Sequence, residues 1–587
     1  MVRSLVALAV ALTAILTGAA RAASPAAVEA ERGMVVAAER RAAEIGADIL
    51  RQGGNAIDAA VAIGFAEAAT NPCCGNLGGG GFLVAHLAAT QRDVFIDFRE
   101  TAPAAASKTM YLDGSGAPID GASLDGWRAV ATPGTVLGLD AALKEYGTMS
   151  LARVMAPAIA LARDGFVLGR DDADIFQAFA PRLKGDPEAA RIFLRPDGSP
   201  LQPGDRLVQS DLAATLRAIA DHGADAFYRG AIAQRIDAAM RAGGGILTAA
   251  DLAAYRIGEA APLACDYRGF HFVSAPPPSS GGATLCEILN ILEGYDLKGL
   301  GFHSAASVHL MVEAMRHAYT DRNSYLGDPA FVRNPLDRLL SKDYAARVRA
   351  AISPDKATPS QDVQPGLAPH EKSETTHFSA IDRDGNAVAV TYTVNGAFGA
   401  GVIAPETGFF LNDEMDDFTI KPGVANMFGL VQGEANAIAP GKRPLSSMAP
   451  TLVEKDGKVA LALGSPGGSR IITTVLETAL NLIDYGMGLQ EAVDAPRFHH
   501  QWLPDVIFAE PYAFSPDTQK LLERMGYTIV VQAPWGAAEV AATAAAAPSE
   551  AQPVIGNPDS VFGGWMRPGY LYGANDDRRP AGAAVGP

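Results

Sequence analysis

The chain has 587 residues, of which 48% are hydrophobic and 19% charged, the balance of a globular protein with length for as many as about four domains. Its formal net charge of −17 speaks against nucleic acid or an anionic membrane as the main partner. That charge leaves small-molecule chemistry open, because a site can carry a local charge opposite to that of the whole chain.

The first residues read as a secretory signal. Arg3 supplies a positive start, Leu5 to Leu16 form an apolar run, and Ala20-Arg21-Ala22 has the small-x-small pattern that signal peptidase accepts. The run is shorter than the roughly 20 residues a membrane span requires. Residues 1–22 are therefore expected to be removed. Arg3 and Arg21 leave with them, which makes the mature charge −19. A periplasmic or secreted protein, without membrane attachment after signal removal, is the expectation.

Residues 33–70 predict a strand and then a long helix. Ala56 to Ala69 is nearly all Ala, Val, Ile and Phe, the pattern of a helix buried on every side. Asn76-Leu77-Gly78-Gly79-Gly80-Gly81 precedes the strand-like Phe82 to Leu87. These glycines lack the Lys-Ser/Thr and the G-x-G-x-x-G spacing of phosphate loops, so they read as close backbone approach. Residues 136–260 are mainly helical with one polar face, and 274–282 form a rigid Pro-Ser-Gly loop. Helical pattern returns at 283–293 and 304–326. Residues 353–374 are polar and predict an exposed, mobile segment.

The pattern then changes to strands. His377 to Ile381 and Ala387 to Val394 flank a turn with Asp384-Gly385, a good hairpin signal. Thr451 to Val453 and Val459 to Leu463 flank Asp456-Gly457 in the same way. Ile471 to Tyr485 reads as a buried helix. The Ala- and Pro-rich stretch 533–565 predicts a loop or insertion, and the tail after Asp576 a loosely ordered end. Antiparallel hairpins with helices on either side place the chain in the α+β class.

Four cysteines are present. Cys265 and Cys286 flank the Pro-Ser loop, which permits a bridge. Adjacent Cys73 and Cys74 do not pair readily in ordinary disulfide geometry. No CxxC or zinc spacing occurs. His499 and His500 would point to opposite faces of a strand, so they read as structural. No metal and no organic cofactor is expected.

The chemistry centres on Glu374-Thr375-Thr376-His377. A Thr hydroxyl is a weak nucleophile until a base sits beside it. The α-amino group of the same residue is such a base, with a pKa of about 8, once a cut before the residue frees it. Thr375 begins a predicted strand behind a polar segment, a setting that suits such a cut. Thr391 and Thr393 share one face of the next strand. Gly464-Ser465-Pro466-Gly467-Gly468-Ser469 joins a strand to a helix, where N–H groups can converge on a developing oxyanion. Its spacing is one residue short of the G-x-S-x-G elbow. Arg99 has the planar fork that suits a carboxylate. Each feature also has a plain reading. Thr393 is a β-former, the glycines make a tight turn, and Arg99 could pair with Asp97 or Glu100 on the surface.

Several blocks together make nearly the whole mature chain resemble the γ-glutamyltranspeptidases, a family of N-terminal-nucleophile hydrolases. They are Gly53-Gly54-Asn55-Ala56, Asn76 to Phe82, Asp97 to Glu100, Pro133-Gly134-Thr135, Thr375 to Asn395, Leu411 to Gly423, Lys442 to Pro450 and Gly464 to Thr474. The resemblance implies a four-layer αββα sandwich and autocleavage between Glu374 and Thr375. It implies a large subunit, 23–374, and a small one, 375–587, that stay together as a heterodimer. Family members often carry Gln where Glu374 stands. That residue is on the leaving side of the cut, so a changed processing rate is the most this implies.

The resemblance also implies roles. Thr375 is the nucleophile, Thr393 orients it, and Gly467 and Gly468 form the oxyanion pair. Arg99, Ser446 and Ser447 hold a substrate α-carboxylate, while Asn395, Glu414 and Asp417 hold its ammonium. Val424 to Pro440 resembles the family's mobile lid, with Phe428 where some relatives carry Tyr, so a hydroxyl contact is lost. The implied substrates are glutathione and other γ-glutamyl compounds, with water, amino acids or dipeptides as acceptors. The alternatives are an acylase of the same fold that removes glutaryl groups, and a non-catalytic binder of glutamate-like ligands.

Overall fold

The computed structural model describes residues 24–360, 373–546 and 566–587. The expected signal at 1–22, residues 361–372 of the polar segment and residues 547–565 of the Ala/Pro-rich stretch lie outside the described residues. No helix among the described residues is long and apolar enough to cross a membrane.

Two antiparallel seven-stranded sheets pack against each other. One runs in the order Ala583–Val585, Gly33–Ala37, Ser373–Asp382, Ala387–Gly396, Gly80–Leu87, Arg92–Asp97 and Gly258–Glu259. The other runs Val28–Ala30, Leu571–Ala574, Glu539–Thr543, Lys458–Gly464, Thr451–Lys455, Phe270–Ser274 and Leu263–Tyr267. Strand alternation sorts the first sheet into two faces. Val35, Phe378, Ala380, Val388 and Val390 join one core with the helices Arg40–Arg51, Ala56–Thr70, Thr135–Tyr146 and Leu151–Asp164. Met34, Val36, Ile381, Ala387 and Ala389 join Leu452, Leu461 and Ala542 of the second sheet. That second core also takes in the helices Gly281–Leu292, Ala305–Tyr325 and Ile471–Ile483. The layers are helix, sheet, sheet and helix, the αββα sandwich.

Ala56–Thr70 is buried along its whole length, as its composition predicts. Its start is fixed by a capping box in which Asn55 and Asp58 bond each other's backbone N–H at 2.9 and 2.8 Å. The glycine run is a close backbone approach. A Cβ on Gly79 would stand 1.8 Å from the Thr393 carbonyl oxygen, and one on Gly81 would stand 2.4 Å from that of Thr391. The strand Ala387–Gly396, which carries Thr393, can meet this neighbour only because no side chain intervenes.

Four expectations need correction. The segment before Ala56 holds a further helix, Arg40–Arg51, so 33–70 contains two helices and not one. Within the stretch read as a loop, Glu539–Thr543 is a buried strand paired with Lys458–Gly464. Its alanines give no β signal, but a sheet on both sides leaves it no other way to satisfy its backbone. The tail is also held, because Ala583–Val585 forms the edge strand beside Gly33–Ala37. Lastly, Cys73 and Cys74 are disulfide-bonded to each other, with Cα atoms 3.7 Å apart in a turn, and Cys265–Cys286 is bridged as its setting permitted. The tight turn brings the adjacent sulfurs within reach, which ordinary strand or helix geometry does not.

The two sheets are strapped by charge at one end. His86 Nδ1 lies 2.8 Å from Asp93 in its own sheet and 2.9 Å from Glu454 in the other. These bonds raise the imidazole pKa to about 9, with burial opposing. The folded value exceeds the unfolded one, so the strap's stabilisation is complete below pH ~6.5 and is lost as pH rises through the folded pKa. The thermal stability of the wild type should therefore fall between pH ~6.5 and ~9. In His86→Gln that part of the pH dependence should vanish, and a variant that keeps the wild-type slope would refute the strap.

Candidate active site

Thr375 and Thr393 are direct cross-strand partners in the central hairpin. Thr375, His377 and Ser379 face the second sheet. Thr375 Oγ donates to Thr393 Oγ at 3.3 Å, and Thr393 Oγ also accepts from the Asn395 N–H at 2.8 Å. Two residues along the strand, His377 Nδ1 contacts Thr391 Oγ at 2.7 Å and its Nε2 contacts Ser379 Oγ at 3.0 Å. Burial pushes this imidazole down to about 3, so it is neutral and structural, with Thr391 as its partner. The hairpin register shifts between Ser373 and Thr375. Opposite that irregularity, Asn395 adopts φ of +75°, an uncommon value for a residue other than Gly. Thr375 itself is 4% exposed.

Gly467 and Gly468 follow the strand Lys458–Gly464 and precede the helix Ile471–Ile483. Both have positive φ, +136° and +52°, which an L side chain would resist. The turn Gly468–Arg470 packs against the strand of Thr375. It is pinned from behind by Tyr319 Oη, which donates to the Ser469 carbonyl at 2.5 Å, and by Ser469 Oγ, which donates to Gln501 at 2.7 Å.

The six residues expected to hold an α-amino acid form a buried polar cluster with the nucleophile hairpin on one side. Arg99 is fully buried and forms ion pairs with Glu414 and Asp417, while Glu100 lies 3.5 Å away. The surface pairing is thereby replaced. Burial works against the guanidinium charge, but the three carboxylates outweigh it and raise its pKa. Burial likewise raises Glu414 and Asp417, with Arg99 opposing. Asn395 Nδ2 donates to the Asp413 carbonyl at 3.1 Å. Ser446 Oγ accepts from the Met448 N–H at 3.1 Å, and Ser447 Oγ accepts from Arg322 at 3.0 Å.

The segment expected to act as a lid covers this cluster. Met427 N–H donates to Asp416 at 2.9 Å, and Met427 Sδ lies 3.5 Å from Asn395 Nδ2. Phe428 is buried, and its carbonyl accepts from Gln501 Nε2 at 3.0 Å.

A family model described as gamma-glutamyltranspeptidase matches residues 42–585. The chain belongs to the γ-glutamyltranspeptidase family. It is 56% identical over 565 residues to the glutathione hydrolase proenzyme of Pseudomonas sp. strain A14, covering 96% of each chain. To the glutathione hydrolase proenzyme of Escherichia coli K12 it is 49% identical over 552 residues, 94% of this chain and 91% of that one. Among solved structures, the cephalosporin acylase of Bacillus halodurans superposes with a TM-score of 0.80 at 26% identity, covering 97% and 98% of the two chains. The αββα fold of the γ-glutamyltranspeptidase family is thus shared with an acylase.

Sequence reasoning missed Asp413, Gln432, Asn436, Gln501 and Arg322. Asp413 accepts from the Gly396 N–H at 2.8 Å and so holds the bulged end of the hairpin. Gln432 and Asn436 both donate to the Asp417 carbonyl, at 3.2 and 2.6 Å. They sit in segments already rich in polar residues, such as Asn412 to Asp417 and Thr320 to Ser324, so none stands out. Nothing local says what they face. His499 and His500 are structural as read, bonded to Thr473 and Gln501 and to Asp505.

Proposed function

We propose that the chain is an exported γ-glutamyl transferase and glutathione hydrolase that matures by cutting itself between Glu374 and Thr375. Large and small subunits from this one precursor then stay together, and their common core supports that reading, because the strand Ser373–Asp382 lies between Gly33–Ala37 and Ala387–Gly396. The observation that carries the proposal is the pairing of Thr375 Oγ with Thr393 Oγ beside an ionic cage of Arg99, Glu414 and Asp417.

In the first half-reaction Thr375 Oγ attacks the γ-carbonyl carbon of a γ-glutamyl amide. Its proton passes to the freed α-amine of the same residue. The carbonyl oxygen, now an oxyanion, is met by the N–H groups of Gly467 and Gly468. Collapse breaks the C–N bond, and the leaving amine takes the proton from the α-amine. Water or the amine of an amino acid or dipeptide then attacks the γ-glutamyl ester and restores the Thr375 hydroxyl.

The cage accounts for the substrate class. Arg99 and the two acids hold each other as a buried ion pair, which costs desolvation unless fully matched. A zwitterionic α-amino acid can replace that pairing one for one, its carboxylate on Arg99, Ser446 and Ser447, its ammonium on Asn395, Glu414 and Asp417. A glutaryl group has no ammonium and would leave those acids unmatched. The test is release of p-nitroaniline from the γ-glutamyl and glutaryl anilides. The γ-glutamyl substrate should be cleaved with a kcat/KM at least about 10²-fold higher, as expected when buried polar groups discriminate. Faster glutaryl cleavage would make the chain an acylase.

A further inference from the structure

We propose that Arg322, outside the set of residues assigned to the substrate, is a positioning residue that makes Ser447 an obligate donor to the substrate α-carboxylate and brings a second positive charge to that side of the pocket. The proposal rests on the reading of Ser446 and Ser447 as carboxylate contacts. Arg322 lies near the end of the helix Ala305–Tyr325 and is 1% exposed. Its guanidinium donates from Nε to Ser280 Oγ at 3.0 Å and from Nη1 to Asn323 Oδ1 at 2.8 Å and Gln432 Oε1 at 3.2 Å. From Nη2 it donates to Ser447 Oγ at 3.0 Å. All four acceptors are neutral, and among the described residues no carboxylate forms an ion pair with it.

That contrasts with Arg99, whose charge is met by Glu414 and Asp417. A buried guanidinium whose hydrogen-bond partners are all neutral is costly to keep, and Asp417 offsets part of that cost through space. Burial lowers its pKa, yet only to about 10, so it stays charged at neutral pH. Its position explains why the cost is tolerated. A guanidinium has donors and no acceptor, so Ser447 Oγ must accept from it. The single hydroxyl hydrogen of Ser447 is then left for a different acceptor. Of the hydroxyls in this cluster Ser447 is the most exposed, at 8%, against 2% for Ser446 and 0% for Ser280.

The same cation fixes the neighbouring backbone. Ser280 accepts from Arg322, and its Oγ donates to the Ser446 carbonyl at 2.6 Å while its N–H donates to that carbonyl at 2.7 Å. Gln432, on the covering segment, joins Arg322 to the Asp417 carbonyl. Both halves of the α-amino-acid site are therefore tied to one guanidinium.

The experiment compares γ-glutamyl-p-nitroanilide with 4-aminobutyryl-p-nitroanilide, which keeps the amine and lacks the α-carboxylate. Processing is followed on gels as the folding control. Arg322→Gln should raise KM for the first substrate about 10-fold or more, with kcat changed little and the second substrate unaffected. Arg322→Lys should fall between Arg322→Gln and the wild type. If Arg322→Gln yields no processed enzyme, Ser280→Ala carries the test, because it removes an anchor of the guanidinium and leaves the charge. It should raise KM for the γ-glutamyl substrate alone. Equal effects on both substrates, or none on either, would overturn the proposal. Ser447→Ala separates the two layers of the argument. If it too leaves the carboxylate preference intact, the carboxylate reading of the serines is wrong. If it removes that preference and Arg322→Gln does not, only the positioning role fails.

Discussion

Thr375→Ala should accumulate as an uncut chain and release no measurable p-nitroaniline from a γ-glutamyl anilide, a loss of about 10⁴-fold or more. One change removes two functions. The hydroxyl that attacks the preceding carbonyl during maturation is the same one that later attacks substrate. The structure gives the loss a narrow cause, because among the described residues the Thr375 hydroxyl bonds Thr393, at 3.3 Å. Alanine fits the strand without a clash, so the variant should fold with a thermal midpoint close to that of the wild-type precursor. Thr375→Ser keeps a hydroxyl and should still be cut, with slower turnover. A Thr375→Ala protein that is both processed and active would exclude this residue as the nucleophile.

Arg99→Met should be the most damaging change in the binding cluster. The methionine leaves Glu414, Asp417 and Glu100 buried without their cation. Breaking a buried pair from one side costs about 3–5 kcal/mol of stability. The substrate loses its carboxylate partner as well, so kcat/KM should fall by roughly 10²–10³, the equivalent of about 3–4 kcal/mol. The sign of the pH dependence is fixed. Burial already raises Glu414 and Asp417, and loss of Arg99 raises them further. Groups raised in the folded state bind more protons folded than unfolded, so the variant gains stability as pH falls. Its deficit against the wild type, read from chemical denaturation, should be larger at pH 8 than at pH 5.5. A deficit that does not depend on pH would mean that the acids are matched by something other than Arg99.

Much of the fold was legible because its signals are local. Ala56–Thr70 is apolar on every side and therefore central, and Asp384-Gly385 sits between two β-branched runs and therefore turns a hairpin. The glycines at 78–81 read as close approach and are packed on strand backbone. What could not be read locally depends on partners far along the chain. Glu539–Thr543 is strand because Lys458–Gly464 and Leu571–Ala574 flank it, and its two alanines carry no such information. Ala583–Val585 is ordered by the strand Gly33–Ala37, more than five hundred residues earlier. Cys73 and Cys74 pair because of the turn they occupy.

The candidate site divides the same way. Thr375, Thr393, Gly467 and Gly468 lie in blocks whose pattern is recognisable, and the structure brings their elements together. The ion pairs of Arg99 and the contacts of Arg322 join segments that are far apart in the chain, so sequence reasoning placed Arg99, Glu414 and Asp417 in one pocket by resemblance but foresaw neither their ion pairs nor Arg322. The covering segment shows the limit of reasoning from one substituted side chain. Phe428 has no hydroxyl to offer, but its carbonyl accepts from Gln501, and Gln501 also holds Ser469 beside the glycine turn.

The central claim is that a cut before Thr375 makes the enzyme. N-terminal sequencing and intact-mass analysis of the purified active protein test it most directly. The account predicts two chains, the smaller beginning Thr-Thr-His-Phe-Ser at Thr375. Full activity in a single uncut chain, or a small chain that begins at any other residue, would contradict it.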